Sequence, residues 1–120
     1  MERCHVWLAR FADRAAVDTY FEEVVPYPKD GPISPFAADQ GERFYDHDWV
    51  FAEFDAGGDL GALLDTIRAP AGTRDAVLAA AAGFECNAIV VADEEEVSSP
   101  VSVVGPPRLK YIGCHPLWDG

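Results

Sequence analysis

Side chains able to do chemistry are most concentrated in residues 34–55. This segment contains six carboxylates and one basic residue, Arg43, which gives it a local charge of −5. Carboxylates at such density bind either a divalent metal ion or the Lys and Arg side chains of a cationic partner. Six aromatic residues are interspersed among them and can bury enough apolar surface to order the segment. The carboxylates are Asp39, Glu42, Asp46, Asp48, Glu53 and Asp55, and the aromatic residues are Phe36, Phe44, Tyr45, Trp49, Phe51 and Phe54.

A metal site in this segment would be centred on Asp46-His47-Asp48. On a β-strand the two aspartates share one face, whereas His47 points to the other. No second histidine and no further acid cluster at ligand spacing accompanies them. We favour a solvated or salt-bridged His47, and divalent-metal binding through Asp46 and Asp48 is kept as an alternative.

Two Cys-His pairs, Cys4-His5 and Cys114-His115, stand near the two ends of the sequence. If the first and last strands were neighbours, two thiols and two imidazoles would approach the tetrahedral set that zinc prefers. Adjacent strand residues face opposite ways, so we favour buried cysteines and surface histidines instead. With Cys86 the cysteines number three, an odd count that suits reduced thiols better than a disulfide framework.

The sequence carries none of the common signatures of nucleophilic catalysis. No G-x-S-x-G and no C-x-x-C occurs, and no glycine-rich phosphate loop follows a predicted strand. Gly57 and Gly58 precede a predicted helix, but Asp55 and Asp59 on either side would repel an anion. The chain is therefore predicted not to be an enzyme and to use no cofactor.

Charge and hydrophobicity exclude several classes of partner. A formal net charge of −12 argues against nucleic acid or an anionic membrane surface, because both require a basic footprint. No apolar run approaches the roughly 18 residues of a membrane span, and MERCHVWLAR lacks the long apolar region of a secretory signal. We expect a cytoplasmic protein, a monomer or small homo-oligomer, with a cationic partner.

Periodicity predicts the elements that position these side chains. Apolar residues at i, i+3, i+4 and i+7 predict a helix over 14–24, with Asp13 as its candidate cap, and a second helix that Asp59 opens and that runs through Ile67. A third helix is expected from its cap at Thr73 to Gly83. Five prolines and glycines exclude regular structure over 25–35, and the acidic run 93–96 is expected to be a solvated turn. The predicted strands are 3–10, 48–55, 86–92, 101–104 and 109–112.

These elements predict one α+β domain over residues 1–120. We expect a mainly antiparallel or mixed sheet of four to five strands, with about three helices packed against one face. Strand 86–92 is apolar enough for the centre of the sheet, and strand 48–55, apolar on both faces, is also expected inside it. Parallel pairing of the first two strands is expected from the helix between them. Burial tendencies place about four of the five residues Phe36, Phe44, Trp49, Phe51 and Phe54 in the core.

An ordered set of short motifs resembles the Immunity protein 22 family. The motifs are HVW at 5–7, Tyr20, SPF at 34–36, Asp39, YDHD at 45–48, Asn87 and LKYIG at 109–113. They extend over most of the chain, and the succession S-x-F-x-x-D followed by Y-D-x-D is the strongest part. Members of this family are encoded beside polymorphic toxins in bacteria.

The resemblance implies a small cytoplasmic inhibitor that binds a cognate toxin domain. An acidic protein suits a toxin that cleaves nucleic acid, because such a toxin needs a basic groove that carboxylates can fill. The other alternative is an acidic adaptor without a toxin partner. For Asp46, the structural alternative to toxin contact is that its side chain caps a turn or the start of the strand. The candidate toxin-binding residues are Asp39, Glu42, Tyr45, Asp46, Asp48 and Glu53.

Overall fold

A four-stranded antiparallel sheet organises the fold, which a computed structural model describes for residues 3–117. Its strands stand in the order β2-β3-β1-β4, and every neighbouring pair is antiparallel. The predicted α+β class is therefore confirmed, as is the number of strands. The strands are β1 (Arg3–Arg10), β2 (Val50–Phe54), β3 (Ala88–Asp93) and β4 (Arg108–Pro116).

Four helices and one 3₁₀ turn accompany the sheet within the described residues. Asp13 caps the first helix by accepting a hydrogen bond from the Ala16 N–H, and Asp59 caps the third through Ala62 N–H. None of these helices is long and apolar enough to cross a membrane. The helices are α1 (Arg14–Phe21), α2 (Pro35–Asp39), α3 (Leu60–Thr66) and α4 (Ala71–Ala80), and the 3₁₀ turn is His47–Trp49.

Helices cover both faces of the sheet, not the single face expected. Along β1, Val6 and Leu8 pack with the residues of α3 and α4, whereas Trp7 and Ala9 pack with those of α1 and α2. Successive side chains of β1 thus alternate between the two faces. β1 and β3 are both apolar on two faces, so helices must cover each face of the sheet. The fold therefore has three layers, with the sheet between two layers of helices.

The strand order corrects two expectations for β2. β3 lies between β1 and β2, so the first two strands do not pair. β3 is one of the two interior strands, as its apolar sequence predicts, but β2 is an edge strand rather than an interior one. It is apolar on both faces because Phe51 packs toward α3 while Ala52 and Phe54 pack in the opposite cluster.

Several boundaries also differ from the expectations. The helix predicted over 14–24 ends at Phe21, and α4 begins after Pro70, so Thr73 lies inside it and donates to the Pro116 carbonyl instead of capping. The short helix α2 lies at the end of the proline-rich loop, where no helix was predicted. Residues 101–104 form no strand beyond a single bridge between Val103 and Leu109.

The large aromatic residues of the acidic segment are less buried than expected. Phe36 is fully buried, and Phe51 and Phe54 are partly buried. Phe44 and Trp49 are 57% and 44% exposed. Trp49 directly precedes the edge strand β2, and Phe44 packs edge-on against the Tyr27 ring, with 5.6 Å between the ring centres.

Candidate functional site

Trp49 stands over a cleft walled by carboxylates. The cleft has a volume of about 300 Å³ and is lined by Trp49, Asp93, Glu95 and Glu96. Val50 lies opposite Ala92 in the β2–β3 ladder, so Trp49 and Asp93, one position further out, meet at the same end of the sheet. We call this site the acidic cleft.

Two turns build the acidic cleft, one before β2 and one after β3. In the first, the Asp46 carboxylate accepts a hydrogen bond from the Asp48 N–H (3.0 Å), and the Asp46 carbonyl accepts one from the Trp49 N–H (2.9 Å). In the second, the Glu96 N–H donates to the Asp93 carbonyl (2.9 Å). A hydrogen bond of 2.7 Å from the Asp46 N–H to the Glu96 carboxylate joins the two turns. The indole is thereby held beside the acidic wall.

The negative charge of the cleft and its surroundings is largely uncompensated. Within residues 3–117, no Lys or Arg forms an ion pair with the six carboxylates of the two turns, and only Asp48 has an ionic contact, at 3.6 Å from His47. An indole face beside carboxylates attracts a cation through both the ring quadrupole and charge. The geometry is therefore suited to a Lys or Arg side chain. The six carboxylates are Asp46, Asp48, Asp93, Glu94, Glu95 and Glu96.

Of the residues that the sequence nominates, Asp46 and Asp48 lie beside the acidic cleft. Asp48 is exposed, whereas Asp46 is partly buried and caps the 3₁₀ turn. Glu53 is partly exposed on β2, four positions beyond Trp49, or about 13 Å along an extended strand. It does not line the cleft.

Asp39 and Glu42 are engaged in contacts that hold loops together. The Tyr20 hydroxyl donates a 2.7 Å hydrogen bond to the Asp39 carboxylate. Burial of the ring, followed by this bond, raises the pKa of Tyr20. The Glu42 carboxylate accepts from both the backbone N–H and the hydroxyl of Ser98, at 2.8 and 3.1 Å. Neither acid lines the acidic cleft.

Tyr45 is a core residue, which corrects its nomination as a surface contact. It is 3% exposed, its hydroxyl lies 3.0 Å from the Ser34 hydroxyl oxygen, and burial raises its pKa. Eight of the motif residues are buried in the same way. These buried residues are Val6, Trp7, Tyr20, Ser34, Phe36, Tyr45, Asn87 and Leu109. The motifs that suggested a family therefore combine interior residues with surface ones such as Asp39, His47 and Asp48.

Neither metal hypothesis has its groups gathered into a set of three or more ligands within residues 3–117. His47 lies 3.4 Å from the Glu23 carboxylate, so it is salt-bridged when protonated. The Cys-His pairs face each other across β1 and β4, with Cys4 opposite His115 and His5 opposite Cys114, but alternation leaves one thiol and one imidazole on each face. Among residues 3–117, no three His, Cys, Asp or Glu side chains are grouped to hold a metal ion.

Sequence reasoning missed Trp49 as a surface residue and the turn 93–96 as part of a site. The signal available was an acidic run directly after the central strand, together with the Asp48-Trp49 pair directly before the next acidic strand. Comparison of the chain with family models, curated proteins and solved structures finds no significant match. Function is therefore inferred from the residues and their arrangement.

Proposed function

We propose that this chain is an immunity protein that neutralises a cognate bacterial toxin domain by stoichiometric binding. The observation that carries the proposal is the acidic cleft, where an exposed indole lies beside carboxylates that no Lys or Arg of the described residues neutralises. The resemblance to the Immunity protein 22 family supports it. The protein acts in the cytoplasm and performs no catalysis.

The partner surface in this proposal is cationic. A toxin that cleaves nucleic acid needs Arg and Lys side chains in its groove, and carboxylates can take the place of phosphates there. Trp49 supplies the apolar anchor, since tryptophan is enriched among the residues that dominate interface energies. The surrounding acids accelerate encounter, because complementary charge raises association rates.

The acidic cleft revises the set of proposed contacts. Trp49, Asp93 and Glu95 form its centre, and Glu96 both lines it and holds the first turn. Asp48 is retained at its margin. Asp39 and Glu42 are assigned to loop stabilisation, because their carboxylates already accept hydrogen bonds from Tyr20 and Ser98.

Co-expression with the toxin domain encoded beside this gene tests the proposal. Wild-type protein is expected to rescue growth and to form a one-to-one complex with the toxin domain. Trp49→Ala combined with Glu95→Lys should abolish rescue while the protein stays folded, because both side chains are at the surface. Asp75→Lys is the matched control, since Asp75 is exposed on α4, away from the acidic cleft.

The outcomes separate the proposal from its alternatives. Failure of folded wild-type protein to rescue or bind would favour an acidic adaptor with another partner. Rescue that requires added divalent metal, with metal retained by the purified protein, would favour the Asp46 and Asp48 metal hypothesis. Rescue by the Trp49→Ala, Glu95→Lys variant would support immunity but place the interface elsewhere.

A further inference from the structure

Two cavities open at the end of β1 opposite to the acidic cleft. One has a volume of about 370 Å³ and the other about 490 Å³, and they share Arg10, Phe11, Ala12 and Pro106 as lining residues. Cys4 at the start of β1 pairs with Asp93 of the acidic cleft, so Arg10 lies six strand positions away, about 20 Å. We call the combined feature the arginine groove.

The charged residues that line the arginine groove are positive, whereas the sequence as a whole has a net charge of −12. The groove's only charged lining residues among those described are Arg10 and Arg108, and no carboxylate lines either cavity. The whole sequence has 21 acidic residues against 9 basic ones. An acid-free cavity with two arginines is therefore a local departure from the overall composition.

The two arginines are placed in an arrangement that costs stability. Arg10 lies directly opposite Arg108 in the β1–β4 ladder, and like charges in such a pair repel. Arg108 stacks over the Phe84 ring at 4.8 Å from its centre. The Arg10 guanidinium forms no hydrogen bond or ion pair with any other residue from 3 to 117, and Glu85, which lines a neighbouring cavity with it, is beyond ion-pair distance.

The walls of the groove are apolar. Phe11, 2% exposed, and Val104, 94% exposed, both line the larger cavity together with Pro106. A guanidinium pair favours a carboxylate, which accepts several charge-assisted hydrogen bonds at once. The volume of the smaller cavity lies within the range of small-molecule sites, which are largely apolar with a few polar groups.

We propose that the arginine groove binds a small organic carboxylate with an apolar body. Arg10 and Arg108 hold the carboxylate, and the apolar body lies against Phe11, Val104 and Pro106. The bound anion relieves the repulsion between the two guanidinium groups. The overall charge of −12 does not prevent this binding at physiological ionic strength, where charges farther off than about 8 Å are screened.

Octanoate, octan-1-ol and octylammonium serve as matched probes of the full-length protein. Titration followed by ¹H–¹⁵N NMR at neutral pH and physiological ionic strength, below the micellar range, should show saturable octanoate shifts at Phe11, Ala12 and Val104. We expect octan-1-ol to bind about tenfold more weakly and octylammonium not to saturate these positions. Octanoate should also raise the Tm.

Substitution of both arginines tests their role. R10Q combined with R108Q should weaken octanoate binding at least about tenfold and remove the rise in Tm. Without ligand, relief of the like-charge repulsion offsets loss of the Arg108–Phe84 contact, so the Tm of the variant should stay close to that of wild type. R68Q is the matched control, since Arg68 is exposed outside the groove.

Three results would overturn the proposal. These are absence of saturable shifts with octanoate, equal affinity for octan-1-ol, and unchanged octanoate affinity in the folded double variant. None of them bears on toxin binding, because the arginine groove and the acidic cleft share no lining residue. A failure here is therefore distinguishable from failure of the proposed immunity function.

Discussion

The Glu96 carboxylate accepts a 2.7 Å hydrogen bond from the backbone N–H of Asp46, fifty residues earlier in the sequence. This bond joins two turns that both carry negative charge and would otherwise repel each other. A backbone donor is well suited to the task, because it adds no positive side chain to neutralise the surface. This contact therefore holds the two turns of the acidic cleft together without neutralising their negative charge.

Removal of the Glu96 carboxylate is expected to destabilise the protein. Glu96→Ala leaves the Asp46 N–H without its charged acceptor and should lower the free energy of unfolding by about 1–2 kcal/mol. Urea denaturation measures the change. Glu95→Ala is the control, because no hydrogen bond or ion pair engages the Glu95 carboxylate within residues 3–117, and it should differ from wild type by less than about 0.5 kcal/mol. Equal effects of the two variants would show that the hydrogen bond does not stabilise the turns.

Charge reversal beside Trp49 is expected to slow capture of the cognate toxin domain. Asp48→Lys with Glu95→Lys should lower the association rate constant about tenfold or more at low salt, with rates converging as salt increases. Stopped-flow fluorescence of Trp49 and the other tryptophans follows binding. Asp30→Lys with Asp75→Lys makes the same change in net charge at exposed positions outside the cleft. If both pairs slow binding equally, net charge and not the acidic cleft governs encounter.

Loss of the Asn87 side chain is expected to be among the most damaging substitutions. Its carbonyl oxygen accepts from the Phe11 N–H (2.9 Å), its amide donates to the Phe11 carbonyl (2.8 Å), and the residue is 4% exposed. Asn87→Ala leaves both backbone groups unpaired in the interior and should cost about 2–4 kcal/mol of unfolding free energy. Thermal and urea denaturation measure this cost. The exposed Ser99→Ala gives the baseline, and an Asn87→Ala variant as stable as Ser99→Ala would contradict the assignment.

Alkaline pH is expected to destabilise the fold through Cys4. Burial raises the pKa of Cys4 from its ordinary value of 9.0 to about 12, with Asp93 adding to the rise. Above pH 9 the unfolded chain releases this proton while the native state keeps it. Stability therefore falls as pH increases toward 12, by at most about 1.4 kcal/mol per pH unit for this group.

Comparison of Cys4→Ala with Cys114→Ala isolates this contribution. Urea denaturation between pH 8 and the start of alkaline unfolding should give a shallower pH dependence for Cys4→Ala, although its stability at neutral pH is lower because of the cavity. Cys114 is only partly buried, so Cys114→Ala should retain the steep dependence. Identical slopes in wild type and Cys4→Ala would rule out Cys4 as the titrating group.

The elements that sequence reasoning predicted correctly depend on neighbouring residues. Asp13 caps α1 by bonding Ala16, three residues later, and the faces of β1 follow from simple alternation. The apolar run that forms β3 indicates a strand covered on both sides. Helix boundaries were predicted less accurately. α4, for example, begins directly after Pro70, and Thr73, the predicted cap, is buried inside the helix.

The candidate site was only partly predictable, because exposure depends on distant packing. Trp49 is large and aromatic, which favours burial, but it lies next to the edge strand β2 and its indole is exposed. Tyrosine is common at protein interfaces, but Tyr45 is buried in the core, where its hydroxyl contacts Ser34. Asp48, a candidate contact from the sequence, is exposed beside the cleft, whereas the role of the turn 93–96 required its contact with Asp46.

The sequence by itself determined the negative charge, the α+β class, the caps at Asp13 and Asp59 and the central position of β3. These properties arise from composition and from interactions between residues a few positions apart. Only the tertiary structure decided that helices cover both faces, that β2 is an edge, and that Glu96 meets Asp46 while Arg10 meets Arg108. Contacts across many residues depend on strand order, and strand order depends on how all the apolar faces are buried at once.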